Sequence, residues 1–228
     1  KVTSLNKVTS LNKVTSLNSY FDKIYCLNLK RREDRWSKMC AKFNKLSIKA
    51  DRFFAVDGND LPVEKVREYQ GMNKGEVGCL LSHFNIIEDA KKRGYKKILI
   101  FEDDVIFSDN FTSEFFTKIG KLSKWRLLYL GGSQYNWYIE YTDGFYYSRQ
   151  TLGLFACAVD RSVYDDILEL KRLKNLPMDL IYAKVQEMYY KQCFTFYPYI
   201  CMADVRDSDI RGPRDQVSHS RKMRWSLV

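Results

Sequence analysis

The sequence predicts an α/β fold, a mostly parallel sheet flanked by helices. Two observations support this prediction. Short apolar runs alternate with amphipathic helical segments from residue 19 onward, and most of the runs are continuously apolar. Strands of that kind are buried on both faces, as in parallel sheets covered by helices. A length of 228 residues with 45% apolar residues suits one large domain with a substantial core.

The chain begins with a perfect triple repeat, KVTSLN-KVTSLN-KVTSLN. Six-residue repeats also build the coils of β-helices, but those folds need several stacked coils to bury a core. We therefore expect residues 1–18 to form a polar linker or tail, or the end of a repeat array, and residues 19–228 to form the folded domain.

The predicted elements alternate along this domain. The clearest helix covers 74–94, because its apolar residues recur on one face, basic residues close it and a glycine ends it. The other predicted helices are 32–46, 162–173 and 177–191. The predicted strands are 21–29, 48–56, 98–107, 125–132, 151–160 and 194–202.

Three successive carboxylates, Glu102, Asp103 and Asp104, interrupt the apolar strand 98–107. Like charges about 4 Å apart repel by roughly 4 kcal/mol near a protein surface, and no basic residue stands beside them in sequence. A divalent cation, Mn²⁺ or Mg²⁺, is the simplest partner. Alternation along a strand would place Glu102 and Asp104 on one face as metal ligands and Asp103 on the other. The alternative is a solvated acidic loop at the end of the strand.

Polar residues also follow the first predicted strand. Arg31, Arg32 and Arg35 are candidates to bind a diphosphate through their guanidinium groups, and Asn28 is a candidate to bind a base or ribose. A solvated, salt-bridged first helical turn is the alternative.

The turn after the second strand and the start of helix 74–94 add further candidates for binding the same ligand. Asp57 precedes a glycine that permits a sharp turn, although an ordinary loop would also explain it. Gly75, Gly78 and Ser82 lie where backbone can closely approach a ligand or a neighbouring strand. His83 is either functional or a hydrogen-bonded structural histidine.

The net charge of +10 suggests an acidic partner. We expect no nucleic-acid binding, because the basic residues are dispersed and no RNA-binding or zinc-finger signature accompanies them. Six cysteines without a CxxC pair predict free thiols of a reducing compartment. The sequence has no apolar run of membrane-spanning length and no signal-peptide pattern, so we expect a cytoplasmic protein or one peripheral at the cytoplasmic membrane face.

Four motifs, IYCLNLKRREDRW, RFFAVDG, GEVGCLLSH and ILIFEDDV, resemble glycosyltransferase family 25 in their order and spacing. Two later matches are looser: LGLFACAVDRSVY before Pro177-Met178-Asp179, and SDI at 208–210. The resemblance covers nearly everything after residue 19. It implies that 19–228 is a glycosyltransferase domain with a Rossmann-like GT-A fold.

The resemblance further implies an inverting transfer of hexose from UDP-galactose or UDP-glucose. The acceptor would be a hydroxyl of a glycan, a lipid-linked glycan such as lipooligosaccharide, or a collagen-like hydroxylysine. The EDD acids would stand in for the DxD metal-binding signature of such enzymes, with Glu102 and Asp104 as metal ligands and Asp103 among the donor-binding residues. Asp179 is the first candidate for the catalytic base, with Asp207 and Asp209 as alternatives. His219 is a further candidate metal ligand.

Two other function classes stay open. The chain would be a binding or scaffold module if it has lost catalysis, although the retained acids argue against that. A metal-dependent phosphoesterase or nucleic-acid enzyme would also use clustered acids, but such sites usually draw acids and histidines from several strands.

Overall fold

The structure is a computed structural model that describes residues 16–225. The predicted tail 1–18 therefore lies outside the described residues, apart from its last three positions. Leu17 is buried in the core, and the side chain of Asn18 makes two hydrogen bonds to the backbone of Lys49, at 2.6 and 2.8 Å. The end of the third repeat thus packs against the folded domain.

The described chain alternates strands and helices as predicted. The strands are β1 (Lys23–Leu29), β2 (Asp51–Ala55), β3 (Lys97–Glu102), β4 (Val105–Phe107), β5 (Leu127–Tyr129), β6 (Tyr141–Thr142), β7 (Phe145–Tyr147), β8 (Ala156–Asp160), β9 (Cys193–Phe196) and β10 (Cys201–Ala203). The helices are α1 (Leu17–Tyr20), α2 (Glu33–Lys45), α3 (Val63–Arg67), α4 (Lys74–Arg93), α5 (Phe111–Ile119), α6 (Tyr164–Glu169), α7 (Met178–Met188) and α8 (Gln216–Met223).

Eight strands form one sheet in the order β2-β1-β3-β8-β5-β9-β7-β6. Six of them run in the same direction, while β8 and β7 run opposite to their neighbours. The predicted α/β class with a mostly parallel sheet is confirmed.

Helices cover both faces of this sheet, which explains the continuously apolar strands. Along β3, Leu99 and Phe101 pack in one core with α2 and α5, whereas Ile98 and Ile100 pack in the other with α4, α6 and α7. The four residues from Ile98 to Phe101 are therefore all buried, whichever way their side chains point.

The clearest predicted helix is confirmed at both ends. Asn73 and Glu76 form a reciprocal capping box at the start of α4, with hydrogen bonds of 2.9 and 3.0 Å. Gly94 ends the helix with φ of 73°, a left-handed conformation that glycine adopts without strain.

Two of the predicted strands are each divided into two separate strands in the structure. The run 98–107 turns at Asp103–Asp104, so strand alternation does not carry through the three acids, and the prediction that Asp103 takes an opposite strand face is wrong. The run 194–202 is interrupted around Pro198, which lacks the N–H that a sheet requires. The two separated ends, β4 and β10, pair with each other in a small antiparallel sheet.

All six cysteines are free, as expected. Among the helices that the structure describes, none combines the length and apolarity needed to cross a bilayer.

Candidate functional site

A cleft of about 270 Å³ opens at the carboxyl edge of β1, β2 and β3. Because these strands are parallel, the segments that follow them emerge side by side, where ligands bind in many α/β sheets. Twelve of the predicted site residues line the cleft: Asn28, Arg31, Arg35, Asp57, Gly75, Ser82, Glu102, Asp103, Asp104, Asp179, Asp209 and His219. Four do not line it: Arg32, Gly78, His83 and Asp207.

The central carboxylate, Asp103, is fully paired. Its Oδ2 accepts a hydrogen bond from Asn28 Nδ2 at 2.6 Å, and its Oδ1 accepts one from Arg35 Nη1 at 2.6 Å. Burial raises the pKa of Asp103, while Arg35 and Asn28 oppose that rise. No basic residue stands beside the acids in sequence, but the fold brings Arg35 to Asp103 from α2, 68 residues away along the chain.

Asp104 has no such partner. Its Oδ1 is buried and takes part in no hydrogen bond with the residues that the structure describes. Burial, and then the negative charges of Glu102 and Asp103, raise the pKa of Asp104 well above its usual range. A divalent cation held by oxygen ligands would satisfy this atom and offset the repulsion, so Glu102 and Asp104 fit Mg²⁺ or Mn²⁺.

His83 contacts the other candidate metal ligand. The imidazole is fully buried, and its Nε2 lies 3.2 Å from Glu102 Oε1. Cys79, one turn earlier on α4, completes a group whose ligand atoms all lie within 4.8 Å of one another. His83 is thus placed to orient Glu102 rather than to line the cleft.

Asn28 is almost wholly buried, and both ends of its amide are already used. Its Nδ2 donates to Asp103 and to the carbonyl of Arg32 at 3.1 Å, and its Oδ1 accepts from Arg52 Nε at 2.8 Å. In this arrangement Asn28 holds Asp103, and a base or ribose would have to displace one of these bonds.

The three arginines predicted to bind a diphosphate are each paired with aspartates. Arg31 Nε pairs with Asp57 Oδ2, Arg32 Nη1 with Asp209 Oδ2, and Arg35 Nη1 with Asp103 Oδ1, each at 2.6 Å. Arg31 also contacts Asp209 at 2.9 Å, and Arg32 also contacts Asp207 and Asp34. The salt-bridged alternative therefore describes this part of the site.

The glycines at the start of α4 allow close contact with the turn after β2. A Cβ at Gly78 would lie 2.6 Å from the carbonyl oxygen of Val56 and 2.9 Å from the amide of Gly58. Gly75 faces the C-terminal segment, whose backbone would come within 3.3 Å of an added Cβ. The Ser82 hydroxyl accepts from the Val56 amide at 2.8 Å and donates to the Gly78 carbonyl at 2.6 Å. These residues fix the turn that carries Asp57.

Asp179 reaches the cleft from the first turn of α7. Its Oδ1 accepts a hydrogen bond from the Gly153 amide at 2.9 Å. Burial and then the charge of Glu102 raise the pKa of Asp179, while the Gly153 hydrogen bond, Arg211 and His83 lower it. A carboxylate of raised pKa on the cleft wall suits a general base.

The C-terminal wall of the cleft, formed by the segment 203–225, contains residues that sequence reasoning did not single out, among them Arg211, Arg214 and Trp225. The predicted candidate His219 also lies on this wall. The sequence RDSDIRGPRDQVSH could have indicated the two arginines, because basic residues flank the SDI motif there. Tyr135 is the residue of the aromatic stretch 135–147 that reaches the cleft.

Comparisons with known proteins find a matching family model and similar sequences. A family model described as "Glycosyltransferase family 25 (LPS biosynthesis protein)" matches residues 21–164. The chain is 37% identical over 135 residues to the "Inactive glycosyltransferase 25 family member 3" of Mus musculus, covering 51% of this chain and 23% of that one. It is 30% identical over 129 residues to "Procollagen galactosyltransferase 2" of Mus musculus, covering 49% and 21%.

The chain therefore spans about a fifth of the length of these curated relatives. Among solved structures, it is similar to a glycosyltransferase involved in the glycosylation of the major capsid of PBCV-1. That similarity has 10% sequence identity and a TM-score of 0.47, over 89% of this chain and 98% of that one.

Proposed function

Because the chain belongs to glycosyltransferase family 25, whose model matches residues 21–164, we propose that it is a metal-dependent inverting glycosyltransferase. It transfers a hexose from UDP-galactose or UDP-glucose to a hydroxyl of a glycan, a lipid-linked glycan such as lipooligosaccharide, or a hydroxylysine-type acceptor. The galactosyltransferase name of one mouse relative and the "LPS biosynthesis" description of the family model support these choices.

The observation that carries the proposal is the environment of Asp104. A buried carboxylate oxygen without a hydrogen bond, next to two further carboxylates, is costly to a folded protein. Its position on the cleft wall, beside Glu102, gives it a use as a cation ligand. An aspartate with only a structural role would gain nothing from a buried carboxylate oxygen without a hydrogen bond.

Glu102 and Asp104 would hold Mn²⁺ or Mg²⁺. When bound, the metal ion supplies a positive charge that offsets the charge developing on the departing nucleotide diphosphate. Asp103 does not need to bind it, because Arg35 and Asn28 already satisfy both of its oxygens. Asp103 instead fixes the turn on which the two ligands stand.

Asp179 accepts the proton of the acceptor hydroxyl in this proposal. Its Oδ1 is fixed by Gly153, so the carboxylate is oriented while its Oδ2 makes no hydrogen bond within the described chain. Asp207 and Asp209 are less suited to the task, because both form ion pairs with Arg32. We assign them to tethering the C-terminal segment beside β1.

The name of one relative favours a second candidate, a binding module without catalysis. The mouse protein at 37% identity is named an inactive family member. Turnover separates the two candidates, because both would bind a nucleotide.

The test is release of UDP from a panel of UDP-sugars, with Mn²⁺ or with EDTA, by the unmodified chain and by Asp104→Asn. Asp109→Asn is the matched control, since Asp109 is exposed and lies outside the cleft. We expect Mn²⁺-dependent release from one UDP-hexose, lost in Asp104→Asn and kept in Asp109→Asn. Binding of UDP without turnover of any sugar would favour the binding module, and absence of UDP binding would refute both.

A further inference from the structure

The positive charges of the cleft are unevenly neutralised. Arg31, Arg32 and Arg35, at the end of β1, each lie within 3.0 Å of an aspartate oxygen. A diphosphate that bound there would have to displace aspartates that are part of the same chain. The arginines at the end of β1 are therefore poorly placed to supply the net positive charge that a diphosphate requires.

Arg211 and Arg214 differ from those three. Both line the cleft, and in residues 16–225 no carboxylate oxygen lies within 4.0 Å of either guanidinium. Arg214 Nε is buried and has no hydrogen-bond partner. A buried, unpartnered guanidinium nitrogen costs stability unless an acceptor reaches it, so this wall is incomplete without an anion.

The local backbone holds these cations at the cleft. The amide of Arg214 donates to the carbonyl of Val205 at 2.9 Å, directly after the strand β10. Asp215 then caps α8 through a 2.7 Å hydrogen bond from the Ser218 amide, which positions His219 one residue later. Gly212, with φ of 69°, permits the turn between the two arginines.

The surrounding field is positive. The pKa of the His219 imidazole is lowered, first by burial and then by the charges of Arg214, Lys222 and Arg211. Arg211 also lowers the pKa of Asp179. The two arginines thus line the same cleft as the proposed base and the acids Glu102 and Asp104.

We infer that Arg211 and Arg214 bind the diphosphate of the nucleotide donor in the cleft that Glu102 and Asp104 also line. The inference rests on the proposed function and names the residues that would stabilise the UDP leaving group. Guanidinium groups match phosphate oxygens in pairs of hydrogen bonds, and two of them in one cleft suit two linked phosphates. A lipid diphosphate presents the same chemistry, so the experiment has to distinguish the two sources.

The experiment is calorimetric titration of the full chain in Mn²⁺ with UDP, UMP and inorganic pyrophosphate. The variants are Arg211→Gln, Arg214→Gln and Arg214→Lys, and Arg221→Gln is the matched control because Arg221 is exposed on α8 outside the cleft. Losing one charged hydrogen-bond donor weakens binding by roughly 10- to 100-fold. We expect that loss for UDP with either glutamine variant, a smaller loss for UMP, and partial recovery with Arg214→Lys.

Unchanged UDP affinity in both glutamine variants, with tight binding by the unmodified chain, would overturn the inference and leave the proposed function standing. Loss of pyrophosphate affinity without loss of UDP affinity would also overturn it, since it would assign the arginines to another diphosphate. No UDP binding by the unmodified chain would overturn both. Arg211 is exposed and its side chain makes no described hydrogen bond, so Arg211→Gln keeps the test decisive if Arg214→Gln fails to fold.

Discussion

The close contact between α4 and the turn after β2 predicts a large effect from a single methyl group. In Gly78→Ala the new Cβ would lie 2.6 Å from Val56 O and 2.9 Å from Gly58 N, both of them backbone atoms. Because Ser82 anchors the Val56 amide, the turn has little freedom to move away. Overpacking of this kind costs about 3 kcal/mol at the upper end of its usual range, and alanine regains about 1 kcal/mol of helix propensity.

We therefore expect Gly78→Ala to lower the free energy of unfolding by about 2 kcal/mol. Gly120→Ala is the matched control: Gly120 has a right-handed conformation with φ of −63°, and an added Cβ meets nothing within 4 Å. That substitution should be neutral or stabilise by up to about 1 kcal/mol. Urea denaturation followed by tryptophan fluorescence measures both. If the two variants unfold at the same urea concentration, the proposed tight contact at Gly78 is refuted.

Three further predictions concern the carboxylates. Asp104→Asn should stabilise the metal-free protein by about 1–3 kcal/mol at pH 7. Because the pKa of Asp104 is raised in the folded protein, the stability that the aspartate contributes is present in acid and lost as pH rises. The gain in melting temperature that Asp104→Asn gives in EDTA should therefore vanish at about pH 4. Because the pKa of Asp179 is raised, kcat/KM should fall on acidification with a midpoint above the ordinary aspartate pKa of about 3.9. Asp179→Asn should lower kcat by about 100-fold or more in UDP-release assays. His83→Phe removes the contact to Glu102 and should weaken Mn²⁺ binding by about 10- to 100-fold in calorimetry, whereas unchanged affinity would remove His83 from the metal site.

The parts of the fold that sequence could predict are those encoded by local pattern. The helix at 74–93 shows its apolar face, its Asn73 cap and its terminal glycine within about twenty residues, so both of its ends were predictable. The turn at Asp103–Asp104 was not predictable, because apolar residues on both sides of the acids are equally typical of one continuous strand over 98–107. The pairing of β4 with β10 joins segments about 95 residues apart, which local pattern does not encode.

The site divides in the same way. Side chains that directly follow a parallel strand, such as Glu102 and Asp57, were predictable because such strands end at one edge. The partners of those side chains were not: Arg35 reaches Asp103 from a helix, and Asp209 reaches Arg32 from 177 residues further along the chain. Arg211 and Arg214 are separated from the acids by more than 100 residues of sequence, and only folding brings them to the same cleft.

The measurement that tests the central claim most directly is calorimetric binding of UDP to the unmodified chain and to Asp104→Asn, each with Mn²⁺ and with EDTA. We expect tight binding only for the unmodified chain in Mn²⁺, because Glu102 and Asp104 would hold the ion whose positive charge offsets that of the diphosphate. Equal UDP affinity in Mn²⁺ and EDTA, or equal affinity of Asp104→Asn and the unmodified chain in Mn²⁺, would contradict it.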